Sequence, residues 1–402
     1  MQLLYTLTGY PPAIGGAQIH QHLLAQQINK NSAVQVVSHW QHNRSDWLLG
    51  TTLRAPQQPN SYVVDGVPVH RMGISLLEKL KMAPFLPTYY PLMKLSLPVI
   101  ASTLESHLTP FAKAASLIHN VRIGREGLTA ASLQAARRRD IPFVLTPVHH
   151  PRWVGWRYQC YTSLYRQADG IFALTESERQ ILIGLQVKPE RIHVIGHGPV
   201  ISEAYDAQAF RLKYGIETEA PIILFLGQHY EYKGYRQLLK ATKPVWEKYP
   251  NAHFVFVGPA VKDSEKVFSL NVDPRIHRLG SVSLQEKTSA LAACSLLCLP
   301  SSQESFGGVY TEAWMFKKPV IGCHIPAVAE VIEEGVNGFL IQQETSQITQ
   351  RILDLLDNPD LAKSMGSEGH AKVQQLYTWP IIAQRAMNAY TKILTGAASL
   401  NK

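Results

Sequence analysis

Short apolar runs alternate with longer amphipathic segments through the first half of the chain. After the apolar run 2–7, residues 17–30 carry apolar side chains at helical spacing, at Ile19, Leu23, Leu24 and Ile28. Strands are expected at the other short runs, residues 34–37, 67–71, 117–120, 143–146, 170–174 and 191–195. Helices are expected at residues 128–139 and 177–185. This alternation is typical of a parallel sheet with helices on both faces.

The same alternation begins again in the second half. The apolar run 221–226 ends at Gly227, and residues 235–249 follow as an expected helix. Further strands are expected at residues 253–257, 295–299 and 319–323. Residues 198–220 contain no expected strand and are the candidate linker, with a boundary near Pro199. We predict two doubly wound α/β domains, residues 1–198 and 199–378, facing each other across a cleft where ligands bind.

Composition supports this organisation. A length of 402 residues suits two domains, and 46% hydrophobic with 17% charged residues excludes a disordered chain. Four cysteines are too few for a disulfide scaffold, and Cys294 and Cys298 are expected to be buried thiols. No apolar run reaches the ~18–20 residues of a membrane span, and residues 1–12 are interpreted as a first strand rather than a signal peptide. A cytoplasmic protein is expected.

The segment after the expected strand 295–299 carries the most informative chemistry. Glu304 is expected in a loop and Glu312 on a helix that begins near Gly308. Gly307 and Gly308 remove side chains where a helix starts, so backbone N–H groups can face an anion. Amides for phosphate and carboxylates for hydroxyl groups together suit a sugar nucleotide. From spacing alone, a loop charge and a solvated helix position are equally compatible with the two carboxylates.

Two glycine-rich loops follow other expected strands. Lys233-Gly234 ends a loop that begins at Gly227, and Lys233 is placed to neutralise a phosphate, although a surface lysine also fits. Gly15-Gly16 lies between the first strand and first helix and permits close backbone approach to a ligand. A tight turn alone also explains that pair, and its spacing is not that of a dinucleotide site.

Histidines follow two strands of the first domain. His119 and Asn120 stand at the end of the expected strand 117–120, and His149 and His150 follow another strand, so both segments are expected at strand ends that face the cleft. Adjacent side chains of an extended segment point in opposite directions, so only one of His149 and His150 is expected to face the site. Metal binding by this pair is disfavoured for the same reason.

Together these stretches resemble glycosyltransferase family 4, the retaining, nucleotide-sugar-dependent enzymes of the GT-B fold. The resemblance covers nearly the whole chain. It includes the E-x7-E segment from Glu304 to Glu312, the G-x5-K-G loop from Gly227 to Gly234, and Thr175-Glu-Ser-Glu178. It implies two Rossmann-like domains and a C-terminal helix, within residues 379–402, that crosses back to the first domain.

The resemblance also implies roles for individual residues. Glu312 would bind the ribose hydroxyls, Glu304 the donor sugar, and Lys233 the diphosphate. The backbone amides that would hold diphosphate and sugar are those of Gly15, Gly16, Phe306, Gly307, Gly308 and Val309. Gln228 stands where the family often carries Arg, and His149 or His150 corresponds to the family's histidine near the donor sugar. Many members need no metal, and the sequence has no D-x-D segment, so neither metal nor cofactor is expected.

The function implied is retaining transfer of a hexose-type sugar from a UDP- or GDP-sugar to a glycan, lipid-linked or small-molecule acceptor, as in cell-envelope glycan biosynthesis. A nucleotide-sugar epimerase or a phosphorylase on the same fold is the alternative. The net charge of +9 does not by itself indicate nucleic acid, because basic and aromatic residues do not interleave, and no nucleic-acid partner is expected. Lys79, Lys81 and Lys94 suit either peripheral contact with the inner face of a membrane or an ordinary helical pair.

Overall fold

The computed structural model describes residues 1–13, 15–42, 46–122, 126–149 and 155–400. Two compact units divide the chain: the first comprises Met1–Gly196 and Trp379–Lys402, and the second comprises His197–Thr378. Each unit is built on one mostly parallel sheet whose strands alternate with helices. The prediction of two doubly wound α/β folds is therefore confirmed.

The first unit has strands and helices in alternation up to residue 194. Its strands are β1 (Gln2–Gly9), β2 (Ala33–Trp40), β3 (Asn60–Val64), β4 (Val67–Arg71), β5 (Leu117–Val121), β6 (Phe143–Thr146), β7 (Gly170–Ala173) and β8 (Ile192–Val194). The intervening helices are α1 (Gly16–Asn29), α2 (Trp47–Gly50), α3 (Leu76–Met82), α4 (Met93–Ala112), α5 (Glu126–Arg138), α6 (Gln159–Gln167) and α7 (Glu176–Gly184). The sheet order is β3-β4-β2-β1-β5-β6-β7-β8, and its pairs are parallel apart from β3–β4.

Strand β3 is not predicted by the sequence pattern. It pairs antiparallel with β4 through the two-residue turn Asp65–Gly66, whose φ angles are 45° and 79°. Two consecutive residues with positive φ form the tight hairpin turn that an Asp-Gly pair favours. The hairpin therefore occupies part of the polar connection before β4, and Asp-Gly is its sequence signal.

The second unit repeats the alternation and is followed by the last helix of the chain. Its elements are α8 (Ala207–Lys213), β9 (Ile222–Leu226), α9 (Tyr235–Lys248), β10 (His253–Val257), α10 (Lys262–Ser269), β11 (Ile276–Gly280), α11 (Leu284–Ala293), β12 (Leu296–Leu299), α12 (Gly308–Trp314), β13 (Val320–Cys323), α13 (Pro326–Ala329), β14 (Gly338–Ile341), α14 (Thr345–Asp357) and α15 (Pro359–Leu376). Helix α16 (Trp379–Leu400) belongs to the first unit. Helix α8 lies within the candidate linker, which contains no strand in the structure.

The sheet of the second unit is parallel throughout, in the order β11-β10-β9-β12-β13-β14. This is the doubly wound order in which the chain direction across the sheet reverses, here between β9 and β12. The sequence pattern does not predict the two edge strands. Strand β11 is half-buried along its length and reads Ile-His-Arg-Leu-Gly, which is not a continuous apolar run.

Helix α16 packs within the first unit against α1 and β7. The hydroxyl of Tyr390 lies 3.0 Å from that of Tyr5 and 2.6 Å from His119 Nδ1. His119 Nε2 lies 2.8 Å from Thr146 Oγ1, and the ring is fully buried, which lowers its pKa to about 3. The expectation that His119 faces the cleft is therefore wrong: its side chain lies inside the core, where it is neutral.

Trp314 fixes the end of α12 within the second unit. The ring is fully buried, and its Nε1–H donates to the carbonyl of Asn337 at 2.9 Å. Helix α15 passes so close that a Cβ on Gly369 would lie 2.1 Å from Trp314 Cδ1. A side chain at Gly369 would therefore push α12 and α15 apart.

We expect Gly369→Ala to lower the free energy of unfolding by about 1–3 kcal/mol, because the added methyl group overpacks Trp314. Gly184→Ala on α7 is the matched control, since nothing lies within 4 Å of its added Cβ. Helix propensity should then leave stability unchanged or raise it slightly. Urea denaturation of the two variants measures the difference, and equal stabilities would contradict the close packing of α12 against α15.

Candidate active site

Two loops of the second unit meet where the strand order reverses. After β9, Glu231–Lys233 form one 3₁₀ turn, and Gly234 follows with φ 79°. A Cβ on Gly234 would lie 2.2 Å from the carbonyl oxygen of Pro300, the residue after β12. Only glycine fits both this φ and this approach, which holds the Lys233 turn against the loop after β12.

Lys233 and Glu304 form an ion pair across these loops. Lys233 Nζ lies 2.6 Å from Glu304 Oε1, and their side chains are 17% and 11% exposed. Lys233 is therefore not a solvated surface lysine, and Glu304 is not a free loop charge. Removing either partner would leave the other charge largely buried and unpaired, which is costly.

The start of α12 is shaped by glycines and by His197. Gly307 has φ 82°, and a Cβ there would lie 2.4 Å from the Tyr310 ring. The Phe306 and His197 rings stack with centroids 5.7 Å apart, and a Cβ on Gly308 would lie 3.2 Å from the His197 ring. Burial lowers the pKa of His197 to about 4, so this ring is neutral. The first N–H groups of the helix have no partner within it.

Glu312 lies on α12 and is only 5% exposed. Its Oε1 lies 2.9 Å from Nζ of Lys287 on α11, which also donates to the carbonyl of Val200 at 2.7 Å. Oε2 is buried and makes no hydrogen bond of acceptable geometry with the described residues. Burial raises the pKa of Glu312, against the opposite effect of Lys287 and the Val200 backbone. The position is therefore not a solvated face of the helix.

Gln228 and His229 lie differently within the loop after β9. The Gln228 side chain is exposed, whereas His229 is fully buried. The His229 ring packs against Phe268 and Tyr235, with centroids 5.1 and 5.8 Å away, and its nitrogens find no hydrogen-bond partner among the described residues. Burial lowers its pKa to about 4. Gln228 is thus accessible and uncharged, and His229 is a neutral part of the core.

A chain of polar groups holds the segment before Gly15 and Gly16 in the first unit. Gly15 is extended, with φ −177°, and α1 begins at Gly16. Tyr10 follows β1, and its hydroxyl lies 2.9 Å from His22 Nδ1. His22 Nε2 lies 2.8 Å from Asp65 Oδ2. These contacts tie the loop after β1 to α1 and to the turn of the β3–β4 hairpin.

His149 follows β6 and is 6% exposed. Its backbone N–H donates to Glu178 Oε1 at 3.0 Å, and its Nδ1 lies 3.4 Å from the Tyr165 hydroxyl. The residue before it, Val148, has φ 46°. The expectation of an extended segment is therefore wrong at Val148. The inference that His149 and His150 point in opposite directions depends on that expectation and is no longer supported. His150 lies outside the described residues.

Three supporting residues were not assigned a role from the sequence. Lys287 contacts Glu312, and His197 contacts Phe306, across the tertiary fold, and no local signal predicts either contact. Glu178 does lie in the pattern Thr175-x-x-Glu178, which predicts a capping box. Thr175 Oγ1 accepts the N–H of Glu178 at 3.1 Å, as this pattern predicts.

In the described ranges, His, Cys, Asp and Glu side chains form no group of three or more placed to hold a metal ion. None of the helices in the same ranges is long and apolar enough to cross a membrane. Cys294 and Cys298 are buried thiols, as predicted.

Comparison with protein families gives two matches that together cover most of the chain. Residues 206–372 match the glycosyl transferases group 1, and residues 15–198 match the glycosyl transferase 4-like domain.

Curated relatives are similar over part of their length. An uncharacterized glycosyltransferase of Methanocaldococcus jannaschii is 25% identical over 225 residues, which are 55% of this chain and 62% of the relative. A phosphatidyl-myo-inositol mannosyltransferase of Mycobacterium tuberculosis is 26% identical over 201 residues, 48% of this chain and 53% of the relative. The chain thus spans between about half and three fifths of the length of these relatives.

Solved structures are similar over nearly the whole chain. Anabaena Alr3699/HepE in complex with UDP and glucose has a TM-score of 0.74 at 18% identity, over 98% of this chain and 100% of that chain. Sucrose-phosphate synthase from Thermosynechococcus elongatus has a TM-score of 0.75 at the same identity and coverage. These likenesses show a shared fold.

Glu178 should make stability depend on pH. Burial raises its pKa from 4.5 to about 7, although two backbone N–H groups act in the opposite direction. The folded state therefore binds the Glu178 proton more tightly than the unfolded state does. The contribution of this proton to the free energy of unfolding is fully present below about pH 4.5 and is lost as the pH rises through 7. Relative to Glu178→Gln, we expect the wild-type free energy of unfolding to fall by ~3 kcal/mol across this window.

Urea denaturation at several pH values from 4.5 to 8 measures this difference. Glu176→Gln on the same helix is the control, because hydrogen bonds from Arg179 and Gln180 lower the pKa of Glu176. Glu176 titrates at or below the lower end of this pH range, so its effect should be small and of the opposite sign. The prediction would be refuted if the free energies of unfolding of wild type and Glu178→Gln changed in parallel with pH.

Proposed function

The chain belongs to the group 1 glycosyltransferases of glycosyltransferase family 4, and from that premise we propose that it is a retaining enzyme. It transfers a hexose-type sugar from a UDP- or GDP-sugar to a glycan, lipid-linked or small-molecule acceptor. The observation that carries the proposal is that Glu304 and Glu312, on either side of the start of α12, are each paired with a lysine. Carboxylates that accept from hydroxyl groups, beside cations that bind a diphosphate, suit a sugar nucleotide.

Glu312 is proposed to bind the ribose of the donor. One carboxylate oxygen is held by Lys287, and the other is buried without a hydrogen bond from the described residues. A ribose hydroxyl can donate to that oxygen, and a buried acceptor gains from such a bond because it is otherwise unsatisfied. Lys287 opposes the rise that burial causes in the pKa of Glu312, and it orients the carboxylate for this role.

Lys233 and Glu304 are proposed to exchange partners when the donor binds. The lysine ammonium turns to the diphosphate and stabilises the charge that develops as this group leaves. Glu304 then accepts hydrogen bonds from hydroxyl groups of the donor sugar. Because the two side chains lie 2.6 Å apart, one rearrangement supplies both contacts.

Backbone N–H groups are proposed to complete the donor contacts. Those expected to act are the amides of Gly15, Gly16, Phe306, Gly307, Gly308 and Val309. Gln228 is exposed and can donate a hydrogen bond without adding a charge, so Lys233 carries more of the leaving-group stabilisation. Complexes of Alr3699/HepE with UDP and glucose support a nucleotide-sugar donor. We propose that no metal ion or cofactor takes part.

Retention is proposed to follow from attack on the face from which the diphosphate departs. The bond from the anomeric carbon to the diphosphate oxygen breaks, the bond to the acceptor oxygen forms, and the acceptor proton passes to the leaving group. His149 is proposed to contact the donor sugar. Glu178, the nearby carboxylate, spends both oxygens on backbone N–H groups, so it is unsuited to act as a nucleophile.

The acceptor is proposed to be reached at a lipid surface. One similar protein is a phosphatidyl-myo-inositol mannosyltransferase of Mycobacterium tuberculosis. Helix α3 exposes Leu76, Leu77 and Leu80 by 62%, 78% and 60%, with the exposed Lys81 beside them. Exposed apolar side chains next to cations favour an anionic membrane. We also propose a role in cell-envelope glycan biosynthesis at the cytoplasmic face of the membrane.

Helix α4 also carries an exposed leucine beside a lysine. Leu95 is 64% exposed, and Lys94 beside it is exposed as well. Lys79 differs from the other two lysines, because its Nζ donates to the carbonyl of Ala55 at 2.6 Å. Lys81 and Lys94 are therefore the cations proposed to face the lipid.

Donor binding is the first test. We expect one of UDP-glucose, GDP-mannose and ADP-glucose to raise the Tm selectively. Glu312→Gln should weaken binding of the matching nucleoside diphosphate about 10-fold or more, because a charged acceptor is lost. Lys233→Met should lower kcat by about 100-fold through lost leaving-group stabilisation. Calorimetry and release of the nucleoside diphosphate measure these effects.

Exposed residues of the same unit supply the controls. Glu247→Gln and Lys240→Met, both on α9, should leave binding and turnover unchanged. Wild-type kinetics in Glu312→Gln and Lys233→Met would contradict the site. Formation of a sugar epimer, or a requirement for inorganic phosphate, would replace the transferase with the alternative activities.

Membrane contact is tested separately with vesicles. We expect the protein to co-sediment with phosphatidylcholine vesicles that contain phosphatidylglycerol, less strongly as salt rises, and not with phosphatidylcholine alone. Serine at Leu76, Leu77 and Leu80 together should abolish binding. Serine at Leu270 and Val272, which are 85% and 87% exposed in the second unit, is the matched control. No binding of wild type at low salt would overturn the proposal.

A further inference from the structure

Glu178 is a buried carboxylate that joins two loops of the first unit. It lies on α7 and is 4% exposed. Oε2 accepts the N–H of Leu174, after β7, at 2.8 Å, and Oε1 accepts the N–H of His149, after β6, at 3.0 Å. One side chain therefore sets the distance between the ends of two neighbouring strands.

Capping of α7 does not account for this arrangement. Thr175 is the N-cap residue, and its hydroxyl accepts the N–H of Glu178 at 3.1 Å. In a capping box the glutamate would return to the N–H of the cap residue. Here the carboxylate reaches Leu174 and His149 instead, so it acts on residues outside the helix.

The residue directly before His149 is strained. Val148 has φ 46°, in the left-handed region that β-branched residues rarely adopt. Such a conformation persists only where the surrounding structure enforces it. The N–H that Glu178 accepts belongs to the residue directly after Val148, so this hydrogen bond is placed to hold the strained turn.

We propose that Glu178 is a positioning residue for His149. By accepting the His149 N–H it holds the Val148 turn, and the turn sets the direction of the imidazole, which packs against Tyr165 with ring centroids 5.9 Å apart. The inference rests on the proposed role of His149 at the donor sugar. It assigns to Glu178 no contact with substrate.

The test compares Glu178→Gln with Thr175→Ala. Glutamine keeps one acceptor oxygen but points an N–H₂ group at one of the two backbone donors, so the turn should relax. We expect faster hydrogen exchange at the His149 amide and a 10- to 100-fold lower rate of donor hydrolysis at saturating donor, with the donor KM nearly unchanged. Thr175→Ala weakens the same helix without touching the His149 N–H, so it should lower the Tm and leave both readouts unchanged.

A second substitution probes the strain itself. Glycine adopts positive φ readily, so Val148→Gly should restore part of the rate when added to Glu178→Gln. If Glu178 only stabilised α7, Val148→Gly in the loop after β6 would not restore the rate that Glu178→Gln lowers. Absence of rescue, together with equal rates in Glu178→Gln and Thr175→Ala, would overturn the inference.

His149→Ala separates this inference from the proposed function. If it hydrolyses donor at the wild-type rate, the assignment of His149 fails. Exchange at the His149 amide still reports on Glu178 in that case: unchanged exchange in Glu178→Gln overturns the positioning role, and faster exchange supports it. If His149→Ala is slow and Glu178→Gln is not, the positioning role alone is wrong.

Discussion

Strands β9 and β12 are neighbours in the sheet, yet the chain leaves them in opposite directions across it. Their loops therefore diverge at the carboxyl edge and leave room between them, as in other doubly wound sheets. Gly234 bridges the start of this opening by its approach to Pro300, and Lys233 and Glu304 meet although 71 positions separate them. The contacts of the candidate site in this unit depend on that reversal.

Burial then decides how the charges are arranged. A carboxylate removed from water is stable only with a cation or hydrogen-bond donors beside it. Glu304 has Lys233 and Glu312 has Lys287, each from a different element of the same unit. The two pairs flank the start of α12, whose first N–H groups also favour negative charge. This arrangement is compatible with the proposed donor, an anion that also carries hydroxyl groups.

Features set by local signals were predicted from the sequence. A strand end, a glycine pair and a helix start are signals carried by neighbouring residues, and they correctly predict Glu304 in a loop and Glu312 on a helix. Partners that arrive from distant elements were not predictable, and Lys287 is the clearest case. The expectation for His119 is wrong for a different reason: the residue lies inside β5, a strand that is buried along its whole length. The strain at Val148 has no sequence signal, because valine favours extended backbone.

The way each carboxylate is held suits it to different work. Lysine has a long, flexible side chain, so Lys233 can follow a phosphate and release Glu304 to accept hydroxyl groups. Backbone N–H groups cannot leave unless their loop moves, so Glu178 keeps a fixed geometry at His149. The proposed donor site in the second unit therefore contains an ion pair that can exchange partners, whereas in the first unit a fixed carboxylate holds a strained turn. Ligand binding requires side chains that can change partners, whereas positioning requires groups that stay in place.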